Sequence, residues 1–355
     1  MRNFSKATVA AGVAAVILTA GVIPAAHAEV TEIDPGGFTP SSIAVDPNTH
    51  RAFALDARDG SITVIDTTTN AVIGKLPGTL GWSHDEAFLA VDPALGQIYT
   101  IGMWMPVAGG REYFIDVQTE DLGGFPAGWS GSGRTLGRNV RPTAAAIDPF
   151  THAVFVSTAE SSGPLTINRL MTLTGGTRPY DVGPLTQLVR LPNNQAVDSL
   201  AVDPLLRQVY VSNPGAGSVS VIDEVTGAYK GLDIAVGRQP RGLAVDTYTH
   251  EVFVANAGSG TVGVIDGYSR TATAAAIPVG GVPDEVDIDQ IRGRVYVKQD
   301  GAGGSDSVST FDSATHTAAG SPVAVGPTRE VAIDGLNHSV YAAKATGSSI
   351  TVVTE

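Results

Sequence analysis

The stretch RGLAVDTYTHEVFVANAGSGTVGVID, residues 241–266, decides the fold. It opens with a short apolar strand ending at Asp246 and turns through residues 247–250. A second apolar strand follows over 251–255, then a Gly-rich turn over 256–260. Residues 261–266 alternate with period two, as a third strand should. A fourth, weaker strand is expected around 272–279, before the next unit opens with Gly280, Gly281, Val282 and Pro283. Four antiparallel strands in ~45 residues is the grammar of a β-propeller blade.

The opening phrase recurs seven times. It reads IAVD ending at Asp46, LAVD at Asp92, AAID at Asp148, LAVD at Asp203, LAVD at Asp246, VDID at Asp289 and VAID at Asp334. The intervals between these anchor aspartates are 46, 56, 55, 43, 43 and 45 residues. Seven residues after each anchor stands an aromatic: Phe53, Tyr99, Phe155, Tyr210, Phe253, Tyr296 or Tyr341. These are expected to form the core between blades. Ala stands two residues before the anchor in every unit except the sixth, and is expected there because inner strands converge on the propeller axis. The last unit stops after a third strand, while residues 29–34 (EVTEID) are an orphan strand. The expected architecture is all-β: a seven-bladed propeller of four-stranded antiparallel blades, closed by residues 29–34 joining blade seven.

Residues 1–28 are expected to be a cleaved secretory signal peptide. Arg2 and Lys6 precede a mainly apolar run over 7–23, and Ala26-His27-Ala28 has the form of a cleavage site. The propeller then occupies 29–355, outside the cytoplasm, with no later stretch long and apolar enough to span a bilayer. There is no Cys, so disulfides, thiolate catalysis and Cys-ligated metals are excluded. The formal net charge is −13, and −15 without the first 28 residues. No basic stripe interrupts that acidity, which disfavours a nucleic-acid partner. A monomer is expected, with a protein or a small polar ligand as partner.

The segments VYVSN (209–213), VFVAN (252–256), SVSVID (218–223) and TVGVID (261–266) resemble the YVTN family of β-propeller repeats. That family occurs in exported bacterial and archaeal proteins, surface-layer proteins among them. The resemblance implies the fold and an extracytoplasmic setting, and implies little about activity. Blades two and three depart from it: they are longer, and the Asn position holds Gly102 and Thr158.

Topology sorts the candidate residues by face. In an up-and-down blade, the connection into each inner strand and the turn between the second and third strands share one face. The turns after the first and third strands share the other. His50, His152, His250 and His338 each follow an anchor by four residues and are expected as turn residues, not metal ligands. The anchors themselves are expected to accept turn N–H groups. The residue five before each anchor is expected at the channel mouth; around the ring it reads Ser41, Ala87, Thr143, Asp198, Arg241, Asp284 and Arg329. Blades four to seven alternate in charge there, with Glu285 and Glu330 following in blades six and seven. This pattern fits either an inter-blade salt-bridge ring or a polar ligand site.

In blade six Glu285, Asp287 and Asp289 fall on one strand face, with Asp287 in the Ala position. Pairing of Asp287 with Arg241 or Arg329 is the favoured expectation, and a bound Ca²⁺ the alternative. A second cluster combines Trp82 and His84 with Trp104, joined by Arg141 from blade three. It suits a ligand or protein hot spot, or simply a cap on the long loop of blade two. No G-x-S-x-G or H-E-x-x-H motif occurs. The leading expectation is a secreted binding or interaction module. A secreted hydrolase, lactonase or lyase using Glu285, Asp287, Glu330 or His84 competes with it, as does a structural envelope component.

Overall fold

The computed structural model describes residues 28–56, 58–78, 82–104, 112–120, 133–162, 165–175, 182–191, 196–231, 233–273 and 275–354, with backbone alone for 82–86, 104, 138, 162, 165, 174, 175 and 182. The signal-peptide expectation and the loop after Trp104 lie outside these residues. Seven antiparallel sheets follow one another in a ring. Blade five is typical: Pro240–Asp246 is innermost, followed outward by Glu251–Asn256 and Thr261–Asp266. Its outer strand is broken into Thr271–Ala272 and Ile277–Pro278, both paired to the third strand. Blades two and three have longer strands, such as Trp82–Asp92 and Leu165–Gly175.

Ring closure follows the expected route. Glu29–Ile33 pairs antiparallel with Ile350–Thr354, placing Ile33 opposite Ile350. The first strand thereby covers the open edge of blade seven, which an unpaired ladder would leave as a template for aggregation. Ile33 is buried in the cluster between blades seven and one, and the Thr351 hydroxyl donates to Glu32 at 2.7 Å.

The core is not a single mass. It consists of seven apolar clusters, one at each seam between neighbouring blades. All seven repeated aromatics are buried in them, each at the seam with the following blade. Strand register explains the repeated Ala more directly than crowding at the axis does. Ala44 pairs with Phe53, Ala90 with Tyr99, Ala146 with Phe155, Ala201 with Tyr210, Ala244 with Phe253 and Ala332 with Tyr341. The small residue leaves room for the ring opposite it on the same sheet face.

The anchor aspartates build the turn after each inner strand. Asp246 Oδ1 accepts the N–H groups of Tyr248 and Thr249 at 2.9 and 3.2 Å, and Asp203 does the same for Leu205 and Leu206. The residue four past the anchor is left-handed in every blade, with φ of 53–61° across His50, Gly96, His152, Arg207, His250, Gly293 and His338. The histidines do more than fill a turn. His152, His250 and His338 each bring Nδ1 to the anchor of the preceding blade, at 2.7–2.8 Å from Asp92, Asp203 and Asp289. No helix among the described residues is long and apolar enough to cross a membrane.

Candidate functional site

At the opposite end of the inner strands lies a cavity of about 810 Å³. All seven residues standing five before an anchor line it: Ser41, Ala87, Thr143, Asp198, Arg241, Asp284 and Arg329. Arg141, Glu285 and Glu330 line it as well. The expected channel mouth therefore exists, with one contribution from each blade.

Its charges are only partly paired. Arg241 Nη1 lies 2.7 Å from Asp284 Oδ1, bridging blades five and six. Lys298, only 2 % exposed, reaches the other Asp284 oxygen at 2.9 Å and Asp300 at 2.9 Å. Burial alone would push the Asp284 carboxyl up, but Lys298 and Arg241 reverse this and hold it below its usual range. Asp198 and Arg329 form no ion pair with the described residues. Burial pushes the Asp198 carboxyl up; the nearby Asp284 charge adds to this, while Arg241 and Arg141 oppose it. Among the described residues the ring thus holds one salt bridge, across the seam of blades five and six, rather than a closed circuit.

Glu285 and Glu330 occupy the position four before the anchor, which faces the next blade. Glu285 Oε2 accepts the Val331 N–H of blade seven at 2.9 Å, and Glu330 Oε2 accepts the Ile43 N–H of blade one at 3.0 Å. Ser42 and Ser199 do the same, receiving the N–H groups of Leu89 and Leu243. The position is therefore a clamp across the seam. Where it is Gly242, the neighbouring strand comes so close that a Cβ there would lie 2.7 Å from the Val286 nitrogen. Burial, reinforced by the Glu330 charge, pushes the Glu285 carboxyl well up. Burial also raises Glu330, to about 7, against the pull of Ser42 and the Ile43 N–H.

Asp287 corrects the expectation made for it. It pairs with Tyr296 across the strand, so its side chain faces the seam with blade seven, not the channel mouth. Its acceptors are occupied by the N–H groups of Ile288, at 2.7 Å, and Ile333, and neither Arg241 nor Arg329 is its partner. Burial raises its carboxyl to about 6. Glu285, Asp287 and Asp289 do share one face, and each bonds to blade seven, through Val331, Ile333 and His338 respectively. Among the described residues no group of three or more His, Asp or Glu is arranged to hold a metal ion.

Trp82 and Trp104, expected in the connections at the mouth end of blade two, instead end paired strands there, and the backbone register sets them opposite each other. The side chains of Trp82, His84 and Trp104 lie outside the described residues. Sequence reasoning missed Lys298. Its signal was available: the residue two past the repeated aromatic reads Leu55, Ile101, Ser157, Ser212, Ala255, Lys298 and Ala343, and only blade six places a charge there.

No known protein-family model matches the chain. No curated protein matches it either.

Proposed function

We propose that this chain is an exported propeller of the YVTN type whose channel mouth binds a small polar ligand or a polar protein segment. The cavity carries the reading: seven blades each contribute the same register position to it, and those positions vary in charge while the frame beneath them repeats. A rigid scaffold presenting variable residues into one concavity is how binding sites are commonly built. Asp198 and Arg329 form no ion pair with the described residues, so a ligand can compensate them without first breaking one of the salt bridges seen there. Export is supported by the basic start, the apolar run and the A-x-A triplet in residues 1–28. The YVTN assignment is supported by the strand phrases quoted above. Fold alone does not supply the ligand.

The test is a thermal-shift screen with dicarboxylates, amino acids and polyamines. A ligand at about one hundred times its Kd adds ~2.7 kcal/mol of stability. At least one class is expected to raise Tm, with the shift lost in Asp198→Asn or Arg329→Ala. A hit unaffected by both substitutions would place binding elsewhere and sink the reading.

A further inference from the structure

The face opposite the cavity is built to a different rule. Five blades in succession carry a large apolar residue two past the anchor: Phe150, Leu205, Tyr248, Ile291 and Leu336. All five are exposed, by 43–76 %. Val225 and Tyr268, at the corresponding place in two of the outer turns on the same face, are exposed by 57 and 66 %. Most of the large apolar side chains exposed among the described residues thus stand on one face.

These tips are held rigidly. Each of the five donates its own N–H to its anchor carboxylate, at 2.7 Å for Phe150 and 2.9–3.1 Å for the others. The repeated aspartate therefore also fixes the turn backbone that carries an apolar side chain in solvent. Neighbouring turns are tied together as well: Gln290 of blade six accepts from Thr247 of blade five at 3.0 Å and donates to Val245 at 2.7 Å. Little backbone ordering entropy remains to oppose association at such a surface.

We infer that this face is where two copies of the chain associate, face to face. Two observations select that occupant. The first is area: large side chains of this kind present ~100–150 Å² each, so the seven amount to roughly 800 Å², one partner's share of a standard interface. The second is charge. The segments between each anchor and the second strand contain Arg207 and Arg292 and no Asp or Glu, in a chain of net charge −13. The inner turns of two acidic molecules can therefore meet without opposing like charges, while Asp223 and Asp266 lie in the outer turns around them. A patch that meets its own copy about a two-fold axis is self-complementary, and apolar faces are characteristic of such homodimers. Two arginines give a lipid surface little electrostatic purchase, which sets the face apart from a basic membrane-binding one.

Sedimentation velocity of the full chain between 0.5 and 50 µM tests this. Twice the monomer mass is expected at the upper end. Tyr248→Ser combined with Ile291→Ser should weaken self-association at least tenfold, and Phe150→Ser with Leu205→Ser should do the same from other blades. Val72→Ser, at an exposed apolar residue on an outer strand, should change nothing. Thermal melts confirm that each variant is folded. A monomer at every concentration overturns the proposal, as does a dimer equally strong in both double variants. A monomer that co-sediments with neutral phosphatidylcholine vesicles overturns it in favour of a lipid surface.

Discussion

Each inner strand of this propeller has two ends that obey different rules. At the turn end the anchor aspartate and the left-handed residue recur in all seven blades and the apolar tip in five, and their polar groups are consumed by one another. At the mouth end the residue five before the anchor runs from Ala87 through Ser41 to Arg329 and is answered by no common partner. One end is architecture repeated seven times; the other is a set of seven independent choices. Chemistry specific to this chain is therefore to be sought where the repeat stops constraining the residue.

The contrast is broken most directly by comparing the same substitution at the two ends of one strand. Asp203 is fully buried and holds the N–H groups of Leu205 and Leu206 together with His250 of blade five. Asp203→Ala strands three donors, and its expected cost is ~3 kcal/mol. Asp198, five residues earlier, lies at the rim of the mouth and outside any ion pair with the described residues, so Asp198→Ala should shift stability by no more than ~0.5 kcal/mol. Denaturant unfolding of the two variants measures both. Equal losses would mean that the mouth is as structural as the turns.

Titration sharpens the same contrast. Glu120 is buried beside the anchor Asp46, and burial, with the Asp46 carboxylate, raises it to about 8. It receives the Thr49 hydroxyl at 2.7 Å, and its other oxygen has no donor among the described residues. The folded state then holds a proton that the unfolded chain releases above about pH 4.5. The stabilisation is complete below that value and is lost as pH rises through about 8. Asp287 and Glu330, raised to about 6 and 7, act in the same direction. Melting temperature should therefore fall by several degrees from pH 5 to pH 9. Glu120→Gln, which supplies the missing donor permanently, should flatten that slope. A slope unchanged by Glu120→Gln would assign the effect to the clamp acids near the mouth.

The sequence was most legible where one physical demand repeats. The seven anchors, the buried aromatics and the closing strand at residues 29–34 could all be read, because periodicity and an orphan strand leave few alternatives. The mouth positions could be placed as well, since strand register alone decides which residue reaches the rim. What could not be read was side-chain direction at the seams. Asp287 looked like a channel residue because it replaces Ala, but the Ala position answers to the aromatic across the strand and faces the next blade. Asp287 is satisfied by two backbone N–H groups, a partner type that carries no sequence signature. The exposed tips were likewise invisible, because an apolar residue in a turn gives no sign of whether it folds inward or stands in solvent.

The smallest expected effect falls on the boundary between the two ends. Ser199 lies one residue from Asp198, but its hydroxyl crosses the seam to the Leu243 N–H at 3.1 Å. Ser199→Ala leaves that N–H without the partner it has in the folded blade, a loss of ~1 kcal/mol and about 2–4 °C in Tm. Ser199 also lines the cavity, but its hydroxyl is engaged across the seam, so ligand binding at the mouth should fall far less than in Asp198→Ala. The neighbouring Asp198→Ala should show the reverse: stability kept, binding lost. If Ser199→Ala also abolished binding while remaining folded, the clamp would be setting the geometry of the mouth. The two ends of the strand would then be coupled through the seams rather than independent.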